Sequence, residues 1–132
     1  MATVLTNGGR GVVTAMLASG SGTSPVYIGW GTGAGTASAG ATGLYTEKAA
    51  DISATAGTRI TGTGAQYSTS VANDTYQVTG TYTATGAGTI TNAGTFNAAT
   101  ITAGTLFMYG DFTGIGLASG DAIAFTCRVQ FG

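Results

Sequence analysis

The chain has 132 residues, 24 of them Gly, with four Lys or Arg, five Asp or Glu, one Cys and no His. Without His, a Ser-His-Asp triad, a Cys-His pair and a zinc site built from His and Cys are all excluded. Four scattered cations are too few to bind nucleic acid through its phosphates, and a net charge of −1 gives little repulsion between copies. This composition predicts an assembly component whose surface is largely covered by other subunits.

The N-terminal part of the chain is predicted to contain one short helix. Residues 1–9 are expected to form an arm that leads into a single domain spanning residues 10–132. Residues 10–18 predict the helix, which Asn7 can cap. Its apolar side chains are spaced so that they share one face: Val12, Val13, Met16 and Leu17. Nothing here resembles a secretory leader or a membrane-spanning segment.

A strand followed by a loop of small residues comes next. Residues 26–30 predict the strand, and residues 31–40 form the Gly-rich loop. Because the loop lacks both the G-x-G-x-x-G and the G-K-[ST] pattern, we expect a flexible or closely packed loop and no phosphate site. Residues 44–51 follow as a charged turn or helical stub. Glu47 and Asp51 there are interpreted as part of a solvated or subunit-facing loop, not as an acid-base pair.

The second half of the chain predicts a run of short strands separated by turns. Strands are expected at 58–63, 66–71, 76–82, 89–96, 105–112 and 122–131. Asn73 and Asp74 predict a tight turn within a hairpin. This spacing predicts an all-β fold, an antiparallel, jelly-roll-like β-sandwich.

Two of these strands have distinctive patterns. Residues 105–112 are apolar on both faces, with Leu106, Met108 and Phe112 on one side and Phe107 and Tyr109 on the other. Both faces are therefore expected to be covered, by another sheet or by a partner subunit. Residues 122–131 alternate most regularly, which predicts a strand inside the sheet. Cys127 on its apolar face is expected to be a core thiol.

The remaining polar and aromatic residues give little indication of a catalytic, metal-binding or ligand-binding site. Asp74 and Asp121 fall in predicted turns, and Asp111 is expected to cap a loop or pair with Arg128. We therefore predict no enzyme, no metal site and no cofactor. Trp30 and the tyrosines pack in the core and in subunit contacts, or alternatively form a sugar- or receptor-binding platform. Core packing is the favoured interpretation for Trp30.

Four phrases in the sequence resemble small virion proteins of tailed bacteriophages. They are residues 27–33 (YIGWGTG), 73–81 (NDTYQVTGT), 90–96 (ITNAGTF) and 110–131, beginning GDF. The phrase at 90–96 is also similar to a segment of phage tail-fibre proteins. The resemblance implies a structural role, a β-sandwich fold and self-assembly, often as trimers on capsids.

The expected function is therefore that of a capsid decoration, or cement, protein on the surface of the virion, made in the host cytoplasm. It would bind the major capsid protein and itself, as a homotrimer, without contacting nucleic acid or membrane. The expected contact residues are Val4, Leu5, Arg10, Trp30 and Tyr109. Two alternatives are a tail or tail-fibre component that binds a host receptor, and a small hydrolase or lectin that works as a monomer.

Overall fold

The computed structural model describes residues 2–48 and 56–131. In chain order these residues form β1 (Ala2–Leu5), α1 (Asn7–Ser19), β2 (Tyr27–Gly31), β3 (Glu47–Lys48), β4 (Ile60–Thr61), β5 (Thr63–Tyr67), β6 (Thr75–Thr83), β7 (Gly88–Phe96), β8 (Leu106–Leu117) and β9 (Ala122–Gln130).

The strands form two antiparallel sheets that pack face to face. The larger sheet has the order β1-β8-β7-β2-β3, with β4 also paired to β2, and the smaller sheet has the order β5-β6-β9. This arrangement confirms the predicted antiparallel β-sandwich. The prediction that the C-terminal strand lies inside a sheet is wrong, because among the strands that the structure describes β9 pairs only with β6 and forms an edge.

The hydrophobic core lies between the two sheets and is centred on Trp30. This side chain is fully buried. Its ring stacks on Tyr82 with 4.1 Å between ring centroids and lies 5.9 Å from the ring of Phe125. Other buried members of the core come from both sheets: Ile28, Val78, Ile90, Phe107, Met108 and Val129. Removing this apolar surface from water is the main term that stabilises the sandwich.

The predicted N-terminal arm is not separate from the domain over residues 2–9, where β1 pairs with β8 and the helix already begins at Asn7. Thr6, not Asn7, is the N-cap, because its side-chain oxygen accepts the Gly9 N–H at 2.9 Å. The Thr6 N–H also donates to the Phe107 carbonyl at 3.0 Å. A Cβ at Gly9 would lie 2.2 Å from that carbonyl oxygen, so only glycine lets the helix approach β8 so closely.

β8 has apolar residues on both faces, as predicted, but their assignment to faces differs. Thr95 pairs with Met108. The next residue of β7, Phe96, pairs with Leu106, so Phe107 is an extra residue in a β-bulge. Phe107 and Met108 therefore both join the core between the sheets, while Leu106 packs on the outer face. The expectation that Leu106 and Met108 share a face is wrong because the bulge interrupts the alternation.

The outer face of the larger sheet is covered by the loop of residues 32–46. Its Ala37, Ala41, Leu44 and Tyr45 pack against the buried Phe96, Leu106 and Tyr109. Asn92 on β7 fastens this loop to the sheet. Its Oδ1 accepts the Tyr45 N–H at 3.1 Å, and its Nδ2 donates to the Tyr45 carbonyl at 3.1 Å. The small sheet covers one face of β8 and this loop covers the other, so the covering comes from the chain itself.

A buried ion pair supports one end of the larger sheet. Arg59 Nε donates to Glu47 Oε1 at 2.6 Å, and the two side chains are 1% and 13% exposed. Arg59 Nη1 also donates to the carbonyls of Ala98, Thr100 and Ala103, at 2.8, 2.8 and 2.9 Å. The solvated or subunit-facing role expected for Glu47 is therefore wrong. Asp51, its expected neighbour in that loop, lies outside the described residues.

The predicted strands at 58–63 and 66–71 are replaced by β4, β5 and a turn. Residues 68–74 connect β5 to β6, and the buried Asp74 organises them. Its carboxylate accepts the N–H groups of Thr69, Ser70 and Val71 at 2.8, 2.9 and 3.0 Å. These bonds, that from Thr69 above all, hold the pKa of Asp74 well below its ordinary value. The turn-forming role predicted for Asp74 is confirmed.

Candidate binding surface

Two of the five expected contact residues are buried inside the domain. Trp30 and Tyr109 each have no exposed surface. Trp30 lies on β2, which has paired strands on both sides. Tyr109 lies beneath the loop that covers the outer face, where its burial raises its pKa. The favoured interpretation of Trp30 as a core residue is confirmed, and the alternative that Trp30 and Tyr109 contact another protein is wrong, because neither side chain reaches the surface.

The other three expected contact residues lie near the N-terminus. Val4 and Leu5 are half-buried on β1, and Leu5 packs against the core between the sheets. Arg10 is exposed on the first turn of α1, and its Nη1 donates to Asn7 Oδ1 at 3.4 Å. Val4 and Arg10 therefore remain accessible. Val4 lies directly opposite Tyr109 in the pairing of β1 with β8, but Tyr109 and Trp30 are buried, so the expected residues do not form one exposed site.

An apolar groove lies between α1 and the smaller sheet. It has a volume of about 510 Å³. Its apolar lining comes from the helix, the loop after it, and strands of both sheets: Val13, Met16, Leu17, Pro25, Tyr76, Phe107 and Phe131. The polar lining residues are Ser24, Gln66, Asn73 and Thr75, so among residues 2–48 and 56–131 no charged side chain lines the groove.

The helix places Leu17 at the rim of this groove. α1 ends at Ser19, and Gly20 follows in the left-handed conformation with φ of 68°. Leu17 in the last turn is 79% exposed, and Phe131, just after β9, is 42% exposed. Leu17 lies on the predicted apolar helix face with Val13 and Met16, but this face is only partly covered: Val13 packs against the core, whereas Leu17 stays exposed. Periodicity places Leu17 and Phe131 on apolar faces but does not predict that they are exposed.

One hydroxyl lies at the wall of the groove. Tyr76 Oη and Ser24 Oγ are 3.1 Å apart and share a hydrogen bond. Partial burial raises the pKa of Tyr76. The Tyr76 hydroxyl is therefore neutral at physiological pH. The groove offers apolar area and hydrogen-bonding groups but no charge, which suits an apolar or neutral partner surface.

The outer face of the smaller sheet is a second exposed surface, and small polar side chains dominate it. Its residues from β6 and β9 include Thr79, Thr81, Thr83, Ala124 and Thr126. Arg128 lies across this face, with Nε 2.7 Å from Gln77 Oε1 and its guanidinium 3.9 Å from the centre of the Tyr67 ring. Tyr67 is the tyrosine exposed here, and the buried Trp30 and Tyr82 do not join it, so no aromatic platform forms.

Asp111 and Asp121 accept hydrogen bonds from the backbone of loops. Asp121 Oδ2 accepts the Ala118 N–H at 2.8 Å, as its predicted turn requires. Asp111 Oδ1 accepts the Ala37 N–H at 3.3 Å, which is the loop-capping alternative predicted for it. Residues 2–48 and 56–131 contain no group of three or more His, Cys, Asp or Glu side chains placed to hold a metal ion.

Cys127 is half-buried on the inner face of β9. Burial raises the pKa of its thiol to about 11, so the thiol is protonated at neutral pH and is a poor nucleophile. It packs against the core between the sheets, in line with the core role expected from the sequence.

Comparisons with known proteins give no relative for this chain. No protein-family model matches it, no curated protein matches it, and no solved structure matches it. Within the described part of the chain, no helix combines the length and the apolar character needed to cross a membrane.

Proposed function

We propose that this chain is a structural virion protein that decorates the outside of a phage head and stabilises it by bridging capsid subunits. Two kinds of observation support the proposal. The first is the resemblance of the phrases at 27–33, 73–81, 90–96 and 110–131 to small virion proteins of tailed phages. The second is a surface with few charges and an open apolar groove.

The groove between α1 and the smaller sheet is the observation that carries the proposal. Leu17 at its rim is 79% exposed, and the lining contains no charged side chain. Burying a leucine side chain against a partner contributes about 1.5–3 kcal/mol. The major capsid protein is the proposed partner, and the mechanism is passive. Many such contacts, repeated over the shell, add up to resist the pressure of packaged DNA. No catalysis, cofactor, nucleic acid or membrane enters this proposal.

A tail or tail-fibre component that binds a host receptor is the alternative. In that role Trp30 and the tyrosines form the contact. Trp30, Tyr82 and Tyr109 are buried, so the tryptophan and two of the six tyrosines offer almost no surface to a receptor. Their burial supports the head over the tail.

The location of the protein in the particle tests the proposal. Virions that contain it are separated into heads and tails, and antibody labelling with quantitative mass spectrometry gives the copies on each. We expect many copies spread over the shell. A signal confined to the tail would overturn the head assignment in favour of the alternative, and absence from both fractions would overturn the virion role.

A substitution in the groove tests the contact itself. L17E places a charge at an exposed rim position, so the fold is retained while binding of an apolar partner is weakened. We expect L17E to bind purified heads at least about tenfold more weakly than the unsubstituted protein, as judged from its occupancy on the heads. The matched control is V71E, because Val71 is 66% exposed and does not line the groove. Equal occupancy for L17E and V71E would exclude the groove as the capsid contact.

Deleting residues 1–9, the natural test of an N-terminal arm, is unsuitable here. The deletion removes β1 from the larger sheet and Thr6 from the helix N-terminus. Loss of occupancy would then report loss of the fold, so the point substitutions above replace it.

A further inference from the structure

β9 is the longest of the strands at the sheet edges. It has nine residues, whereas β5 has five, β1 has four and β3 has two. Edge strands are usually kept short or guarded, because their unpaired N–H and C=O groups are a template for pairing with another chain. A long edge in a protein with little net charge therefore needs an explanation.

The direction of the backbone groups of β9 follows from the hydrogen bonds at its two ends. The Phe131 N–H donates to the Asp74 carbonyl at 2.8 Å, and the Ala84 N–H donates to the Asp121 carbonyl at 2.7 Å. Odd-numbered residues of β9 therefore direct their backbone groups to β6. Because the direction alternates along a strand, the even-numbered residues direct theirs to the free edge. These are Ala122, Ala124, Thr126, Arg128 and Gln130.

Nothing in β9 guards this edge. The strand, AIAFTCRVQ, contains no proline and no lysine, and the register shows no bulge against β6. Its one charged side chain, Arg128, is turned towards Gln77 on β6 and Tyr67 on β5. The guanidinium is thus directed away from the free edge, where it would have repelled a second strand.

The space beside the edge is open and apolar. A cleft of about 460 Å³ lies between β9 and the strands β1 and β8. One side of it is formed by residues of β9 from Ile123 to Cys127, and Phe112 and Ile115 lie opposite. Ile123 and Cys127 are only half-buried. A strand added at this edge would cover both side chains.

We propose that two copies of this chain pair antiparallel through the free edges of β9, about a two-fold axis at Thr126, and join their smaller sheets into one continuous sheet. Thr126 then faces Thr126 of the partner subunit, and even-numbered residues meet even-numbered residues, as their edge-directed N–H and C=O groups require. This inference goes beyond the virion role and does not depend on it.

The occupant is a second copy because the pattern of β9 is complementary to itself about Thr126. On the inner face, Phe125 meets Cys127 of the partner subunit, and Ile123 meets Val129 of the partner subunit. On the outer face, Arg128 meets Ala124 of the partner subunit, so the two arginines are not opposed. Apolar cross-strand pairs stabilise a sheet and opposed like charges destabilise it, and this register provides the first and avoids the second.

The mass in solution and a disulfide cross-link test the pairing. We expect light scattering to give twice the chain mass of 12.9 kDa. Directly opposed residues in antiparallel strands have Cα atoms about 4.5–5.5 Å apart, within the range of a disulfide. T126C in a C127S background is therefore expected to form a covalent dimer on mild oxidation. The control, T81C in the same background, has its cysteine on the same outer face but on β6, and is expected to stay monomeric.

A second pair of variants keeps the test independent of cysteine chemistry. T126K places two lysines opposite each other across the axis, so we expect the dimer dissociation constant to rise about fivefold or more. T81K adds the same charge on β6 and is expected to leave the dimer intact. A monomer at every concentration, a trimer such as the phage resemblance implies, or equal behaviour of T126K and T81K would each overturn the pairing. None of these outcomes changes the head-binding result for L17E.

Discussion

The two sheets of the sandwich differ in what covers their outer faces. The larger sheet is buried on its inner face by the smaller sheet and on its outer face by the loop of residues 32–46. The smaller sheet has one buried face, and its outer face of Thr, Ala and Gln side chains is bare. The difference arises from the connections. The long β2–β3 loop reaches across the larger sheet. The connections that leave the strands of the smaller sheet are shorter: residues 68–74 between β5 and β6, 84–87 between β6 and β7, and 118–121 between β8 and β9.

The smaller sheet leaves more of its surface exposed to other proteins than the larger sheet does. The apolar residues on the outer face of the larger sheet are buried by a loop of the same chain. The smaller sheet has a free edge at β9, an exposed face, and the apolar groove against α1 at one end. Assembly contacts are therefore expected at the smaller sheet.

The largest effect is expected where both sheets depend on the same side chain. Trp30→Ala removes a fully buried ring that stacks on Tyr82, and we expect it to lower the free energy of unfolding by about 3–5 kcal/mol. Urea denaturation measures the change. Trp30→Phe keeps a ring, so it should lower the free energy of unfolding by less. This variant is measured instead if the alanine variant does not fold.

Thr81→Ala is the matched control for this comparison. Thr81 is exposed on the bare face of the smaller sheet, so the expected change is within about 0.5 kcal/mol. A decrease in the free energy of unfolding similar to that of Trp30→Ala would contradict the conclusion that Thr81 lies on an uncovered face.

A smaller effect is expected where the loop is fastened to the larger sheet. Asn92→Ala removes both hydrogen bonds to the Tyr45 backbone and leaves buried groups without partners. We expect a cost of about 2–3 kcal/mol. Hydrogen exchange should speed up over residues 32–46 while β6 and β9 keep their protection. Uniform loss of protection across both sheets would show that the loop is not a separate cover.

The last expected effect lies in the β5–β6 turn, where the stabilisation that Asp74 provides at neutral pH is lost in acid. Hydrogen bonds from Thr69 and its neighbours lower the pKa of Asp74 in the folded protein. The stabilising contribution is therefore complete above the ordinary carboxyl pKa of about 3.9, and is lost as the pH falls through the lower pKa of the folded state. Asp74→Asn should reduce the fall in Tm below about pH 4. If Asp74→Asn leaves the dependence of Tm on pH unchanged, the ionised Asp74 does not stabilise the folded protein in this way.

Local pattern predicted the alternation of buried and exposed residues better in β6 and β9 than in β8. β6 and β9 alternate as expected, because one face is buried and the other is exposed. In β8 the alternation fails at Phe107, because the bulge depends on pairing with β7. Of the candidate contact residues, Trp30 has the core position favoured for it and Tyr109 is buried as well; the sequence kept both as contact candidates because aromatic side chains suit a core and an interface equally well. Leu17 and Phe131 were missed because their exposure depends on what packs beside them.

The sequence by itself determined the all-β fold, the short helix, the turns at Asp74 and Asp121, and the scarcity of groups for acid-base or metal chemistry. These follow from residue type and short-range spacing. Only the tertiary structure decided that the N-terminal residues join the larger sheet, that Arg59 and Glu47 pair in the interior, and that β9 lies at an edge. Each of these depends on which distant segments meet, and local spacing does not encode that choice.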